Sequence, residues 1–357
     1  MPGPLKDKLI RRIREAGPLT VADYMRAALT DPDHGYYTTR DPIGAAGDFV
    51  TAPEISQVFG EMIGLWIADC WDAMGRPRHL KIVEAGPGRG TLMADVLRTL
   101  KVAPAMLPDP WLIETSPALR ALQRQRIDGG TWAAGLDEVP PGPAVILANE
   151  FLDAMPIRQF LRAEEGWRER LVDVDADGSG FAWRLGPALD GGPGLPATAD
   201  DAVPGSIVEA APEAVAFVEQ LSRRLVRDGG AALLVDYGAT SGGPGDSLQA
   251  VSRHAYADPL DSPGEADLTA HVDFAALARA ARDAGAAVYG PVPQAAFLEA
   301  LGAFERAAVL KRSATPAQAR DIDLGIHRLT APDQMGSLFK AMAVADPAMP
   351  PPAGFGA

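Results

Sequence analysis

The period of apolar positions changes twice along this 357-residue chain. Before about Arg78 the spacing is helical. Leu9, Ile10 and Ile13 form one face near the start, and Ile55, Val58, Phe59, Met62, Trp66, Ile67 and Cys70 form another behind Thr51-Ala52-Pro53-Glu54, which reads as a capping box. A Gly/Pro/Asp-rich stretch from Thr30 to Gly47 separates the two. From Leu80 onward, short apolar runs suited to buried strands alternate with helical segments: Lys81–Ala85, Trp111–Glu114, a weaker run near 131–134, Ala144–Ala148 and Ala231–Tyr237. Such alternation predicts an α/β fold, a doubly wound parallel sheet whose site lies at the C-terminal ends of its strands.

Two stretches break the alternation. Between Gln159 and Leu185 apolar and polar residues alternate singly around Glu164-Glu165-Gly166 and Ala176-Asp177-Gly178, which predicts inserted hairpin strands, and Pro187 to Gly205 reads as a surface loop. Ala286–Tyr289 and Leu338–Ala345 supply the last two strands. The pattern thus predicts an N-terminal helical cap (1–78), an α/β core (79–240) with a β insertion at about 157–207, a cap with the sixth strand (241–330), and a final strand with its tail (331–357).

Composition narrows the function classes. A hydrophobic content of 47% suffices for a sizeable core, and 33 Lys and Arg against 47 Asp and Glu give a net charge of −14. That balance argues against nucleic acid and suits a basic peptide as partner. The single cysteine, Cys70, excludes a disulfide framework or a thiolate zinc site, and its neighbours Trp66 and Trp71 mark it as a buried thiol. Apolar runs stop well short of ~18 residues, so no membrane insertion is expected. Arg11, Arg12 and Arg14 superficially suggest a transit peptide, but Asp7 and Glu15 interrupt them; the N-terminus reads as a structural helix of a cytoplasmic protein. The five histidines show no metal spacing and no G-x-S-x-G elbow occurs, so neither a metal site nor a hydrolase is expected.

Candidate chemistry begins at Glu84-Ala85-Gly86-Pro87-Gly88-Arg89-Gly90. Three alternating glycines between a strand and a helix let the backbone take positive φ and approach a ligand closely. A dinucleotide fingerprint needs its third glycine where Thr91 stands, and a P-loop needs Gly-Lys-Ser/Thr; what remains is E-x-G-x-G-x-G, the first turn of class I S-adenosylmethionine (SAM) methyltransferases, or a plain turn. Glu114 ends the next strand at the offset where a carboxylate accepts ribose hydroxyls, and it equally suits the start of the helix opened by Ser116-Pro117. Glu84, just ahead of the glycines, suits the SAM amino group.

Several blocks together resemble one family: Gly47-Asp48-Phe49-Val50-Thr51-Ala52-Pro53-Glu54, the glycine loop, Asn149-Glu150-Phe151-Leu152-Asp153-Ala154-Met155-Pro156, Asp236-Tyr237-Gly238 and Asp267-Leu268-Thr269-Ala270-His271. In this order they are similar to the MidA family of SAM-dependent methyltransferases, whose mitochondrial members are protein arginine methyltransferases required for respiratory complex I assembly. The resemblance covers nearly the whole chain, which looks like a bacterial member. It implies a class I Rossmann-like sheet with an antiparallel last strand, SAM as cofactor with S-adenosylhomocysteine (SAH) as product, and a protein substrate presenting arginine, plausible as a complex I subunit. Asp48 and Phe49 would fold over the cofactor or simply anchor their loop. Glu150 and, second, Asp153 would grip a guanidinium, or else decorate a helix start; Asn149 would assist or cap, and His271 would lie at the substrate mouth with Asp236 and Tyr237, as a catalytic group or as scaffold. Two rivals remain, an NAD-linked Rossmann oxidoreductase and a non-catalytic SAM-binding assembly factor.

Overall fold

A computed structural model describes residues 3–39, 50–189, 202–252 and 254–355. The chain divides into two compact units, one formed by Val50–Leu152, Val218–Thr240 and Ala278–Ala357, the other by Met1–Phe49, Asp153–Phe217 and Ser241–Leu277.

The first unit is built on a mixed sheet. Its strands are β1 (His79–Ala85), β2 (Leu107–Ile113), β3 (Thr131–Ala133), β4 (Ala144–Asn149), β5 (Gly230–Ala239), β6 (Ala287–Pro293) and β7 (Phe339–Ala345), laid side by side as β3-β2-β1-β4-β5-β7-β6. The pairs from β3 through β5 are parallel, while β7 runs antiparallel to both β5 and β6. This is the α/β sheet expected from the alternation of strands and helices, with the antiparallel last strand that the family resemblance implies. Its central strands are buried on both faces, so β4 reads Ala-Val-Ile-Leu-Ala without a polar residue until Asn149 at its end. Connections of the β-α-β kind bring the loops after β1, β2 and β4 to one edge.

Residues 50–78 belong to this sheet unit rather than to an N-terminal cap, and residues 241–277 separate from the sixth strand, which corrects the linear division expected above. Helical periodicity shows that a segment has a buried face but not which core receives it. Phe59, Met62, Trp66 and Ile67 enter the same core as Ile82, Val145, Leu233 and Phe297. The expected capping box also fails. Thr51 makes no side-chain cap; the helix splits into α1 (Ala52–Ile55) and α2 (Gln57–Ala73), and Ser56 caps the second by accepting from Val58 N–H at 3.3 Å. Helix α2 lies so close to α3 (Thr91–Thr99) that a Cβ on Gly60 would stand 2.5 Å from that of Asp95, which fixes the helix behind the glycine loop.

The second unit carries the inserted strands. Gly166–Val174 pairs antiparallel with Leu19–Thr20, Arg158–Ala163 and Phe181–Leu189, and Ile207–Ala210 extends the sheet beside Arg158–Ala163. Gln249–Ser252, flanked by Ala255–Ala257 and Asp267–Thr269, makes a smaller sheet that single-sequence periodicity did not reveal. The helices Pro4–Ala16 and Val21–Thr30 bury Leu5, Leu9, Ile13, Tyr24 and Met25 in a core shared with Val172 and Leu268. Among the described residues, no helix is long and apolar enough to cross a membrane.

Candidate active site

The loop after β1 owes its shape to glycine. Gly86, Gly88 and Gly90 have φ of +63°, +52° and +77°, the left-handed region that costs an L side chain free energy. A Cβ on Gly86 would lie 2.6 Å from the Phe151 ring, and one on Gly90 2.9 Å from Ile127. Glycine is therefore required here for conformation and for space. The loop closes through Gly90 N–H to Pro87 O at 2.7 Å and delivers the chain to the N-terminus of α3.

Two carboxylates flank it. Glu84 is 3% exposed, and burial pushes its carboxyl up to about 8, opposed only in part by a hydrogen bond from the Met93 amide. Its Oε2 is buried without a hydrogen-bond partner among the described residues. A buried carboxylate oxygen left this way is costly unless a ligand supplies a donor or a cation. Glu114, at the end of β2, accepts Ser116 N–H at 2.7 Å and Gln123 Nε2 at 3.3 Å, while burial, the dominant effect, raises its carboxyl above the usual range. Glu114 thus braces the start of the helix α4 (Pro117–Arg126), and its carboxylate retains acceptor capacity beyond these two bonds.

Gln123, which the sequence reading passed over, joins these parts. Its Nε2 donates to Gly88 O at 2.7 Å as well as to Glu114, and its Oε1 accepts Trp132 Nε1–H at 2.7 Å. It is fully buried. A Gln seven residues into a polar helix carries no local signal; only its inward placement on α4 betrays it. Glu54, expected only as part of a capping box, also ties elements together: its carboxylate accepts the Thr91 hydroxyl at the start of α3 and lies 3.6 Å from Arg126 Nη1.

The turn after β4 is built differently. Glu150 sits at φ +49°, uncommon for a residue with a side chain. The strain is offset by Glu150 N–H to Val235 O at 2.9 Å, and by Glu150 Oε1 accepting both Ala52 N–H at 2.8 Å and Asn149 Nδ2 at 3.1 Å. Asn149 Oδ1 is buried without a partner among the described residues. Asp236, fully buried on β5, holds the next residues by accepting from Phe151 and Leu152 N–H at 3.2 and 3.0 Å, and from Tyr237 N–H at 2.9 Å. Its carboxylate is thus a brace for the turn.

The structure brings Glu84, the glycines and Glu114 together, and joins Asn149 to Glu150. Asp153 and His271 fall in the second unit, where Asp153 is buried and its carbonyl accepts Ala270 N–H at 2.9 Å. His271 is exposed, with its backbone N–H donating to Ser247 Oγ at 2.9 Å. Asp48 and Phe49 lie outside the described residues. No group of three His, Cys, Asp or Glu suited to a metal occurs among the described residues.

Known proteins match this arrangement. The model of an S-adenosyl-L-methionine-dependent methyltransferase family matches residues 62–292, spanning β1, the glycine loop and the turn after β4. This chain belongs to that family. The methyltransferase is 38% identical, over 94% of its length and 85% of the relative's, to the mitochondrial protein arginine methyltransferase NDUFAF7 of Danio rerio. It is 36% identical to the human protein of the same name, over 96% and 83%. A crystal structure from Burkholderia thailandensis, described as a methyltransferase candidate bound to SAH, superposes with a TM-score of 0.85 at 30% identity, covering 99% of this chain and 96% of that one. The MidA resemblance and the cofactor it implies are thereby borne out. The donor set fits SAM: a loop with no Cβ at its three left-handed positions, an acid after the second strand, and an orphaned buried carboxylate oxygen at Glu84.

Proposed function

We propose that this methyltransferase modifies arginine on a protein partner, a respiratory complex I subunit being the first candidate. The curated relatives carry arginine methylation in their names, and the MidA resemblance points to complex I. The observation that carries the reading is Glu150, a carboxylate fixed in a strained conformation at the end of β4, in the unit that holds the glycine loop. Strain of this kind, on the order of 1–3 kcal/mol, persists where surrounding bonds over-determine it and marks a residue held for a purpose.

Glu84 would hold the cofactor's amino group and Glu114 its ribose hydroxyls. When bound, SAM supplies a methyl group on a sulfonium, an electrophile that needs no further activation. The protein's task is then on the acceptor side. A guanidinium is cationic and a poor nucleophile, so a carboxylate must grip it by charge-assisted hydrogen bonds, draw its charge away from the nitrogen to be modified, and take up the proton that nitrogen releases. Glu150 would serve all three, and the bonds its Oε1 accepts from Ala52 and Asn149 support the reading. Asp153 and His271 belong to the second unit and carry no part of this reading.

The test is transfer of a labelled methyl group from SAM to lysate of a deletion strain, followed by peptide mapping. Label on arginine of a discrete protein supports the reading. Label on lysine or on a small molecule, or SAH binding with no transfer to any protein, refutes it.

A further inference from the structure

Helix Pro4–Ala16 opposes the charge of the rest of the molecule. In a chain of net charge −14 it carries Lys6, Lys8, Arg11, Arg12 and Arg14 against Asp7 and Glu15. Lys8, Arg11 and Arg14, three residues apart, fall on one side and line a half-open cavity of about 610 Å³ whose opposite wall is the turn at Gly178 and Ser179. His34 and Asp7 complete the polar lining.

The turn receives one of these cations directly. Arg14 Nη2 donates to Gly178 O at 3.1 Å, and Gly178 has φ +80°; a Cβ there would stand 2.9 Å from Arg14 Nη2. The turn's own acids are occupied with backbone: Asp175 Oδ1 accepts Gly178 and Ser179 N–H at 2.9 and 3.0 Å, and Asp177 Oδ1 accepts Ser179 N–H at 2.8 Å. Several arginines elsewhere are matched with acid, as in Arg26–Asp23, Arg98–Asp95, Arg158–Glu169 and Arg306–Glu61. Arg11 and Arg14 have no carboxylate within 4.0 Å among the described residues, whereas Lys8 is paired with Asp31 at 2.5 Å. Two unmatched planar forks in an otherwise acidic protein form a local attractive field for carboxylates.

We propose that this cleft is a docking site for an acidic, extended segment of the protein partner, separate from the site that takes the arginine. The proposal rests on the reading that the substrate is a protein. The span from Lys8 to Arg14 is about 9 Å of helix, the length of about three residues of extended chain. That matches a short run of Asp or Glu better than one compact anion. Recognition of acidic motifs by arginine clusters is a recurrent binding mode.

The probe is a fluorescein-labelled hexaglutamate peptide, followed by anisotropy at 50 mM salt. Wild type should bind it, and affinity should fall more than tenfold in 500 mM salt and in R11E/R14E. Both side chains are exposed, so that variant should keep the wild-type thermal shift with SAH. Equal binding by wild type and R11E/R14E overturns the proposal, as does full displacement of the peptide by 5 mM inorganic phosphate, which would mark a small-anion site. Because peptide binding is read without methyl transfer, absence of transfer in wild type refutes the functional reading and leaves this result standing. On a methylated protein target, R11A/R14A should raise KM several-fold with kcat unchanged; an unchanged KM overturns the proposal.

Discussion

The turns after β1 and β4 stand at the same edge of one sheet and reach left-handed backbone by opposite means. The first uses glycine at each positive-φ position and leaves room; the second places Glu150 there and surrounds it with bonds from Ala52, Asn149 and Val235. The difference separates two jobs. A turn that must admit a ligand against its backbone gives up side chains, whereas a turn that must present a side chain holds one in place at some cost in strain. Binding should therefore fail with changes in the first turn, and catalysis with changes in the second.

The largest expected effect is at Gly88. Gly88→Val puts a branched side chain at φ +52°, so SAH affinity by isothermal titration should fall by roughly two orders of magnitude or more while far-UV circular dichroism stays native. Affinity within a few-fold of wild type would dissolve the contrast between the turns. Next comes Glu114→Ala, which removes charged hydrogen bonds to the ribose and should weaken SAH by about 2–3 kcal/mol; if adenosine binding is untouched, Glu114 is only a brace for α4. Gln123→Leu should raise the SAM KM about tenfold with kcat preserved, since it loosens Gly88 and Glu114 without touching the turn after β4. A fall in kcat with KM unchanged would place Gln123 on the wrong side of the division.

The smallest effect is in pH. Burial holds Glu84 near 8, so its carboxyl is mostly protonated at pH 7 and ionises as the bound amino group is gained. SAH affinity should rise about fivefold from pH 7 to 8 and about twofold more by pH 9, and Glu84→Gln should abolish the slope. In the free protein the sign reverses: between about 4.5 and 8 the unfolded chain has released this proton and the folded chain has not, so stability falls as pH rises through that window. A flat affinity profile for wild type would remove Glu84 from the cofactor site.

Much of the cofactor half was legible because its signals are local. Gly86, Gly88 and Gly90 announce their backbone by residue type, and the apolar runs of β1, β2, β4 and β5 announce a sheet covered on both faces. What stayed hidden depends on tertiary partners. Asp236, expected only as a group at the substrate mouth, braces amides 85 and 84 residues away in sequence. Thr51 and Glu54 matched a capping box, but Glu150 takes the Ala52 amide and Thr91 takes Glu54, so long-range bonds replaced the local ones. Gln123 had no signature at all. The helices before residue 78 were recognisable as helices, though not as parts of two different cores.

The measurement that tests the account most directly is the methyl-transfer rate of Glu150→Gln at saturating SAM. The change keeps size and removes charge, so packing and the bond to Ala52 are largely retained. If the turn after β4 serves catalysis and the turn after β1 serves binding, the rate should fall by roughly two orders of magnitude while SAH affinity stays within a few-fold of wild type. A near-normal rate, or a loss of SAH affinity that accounts for the loss of rate, would contradict it.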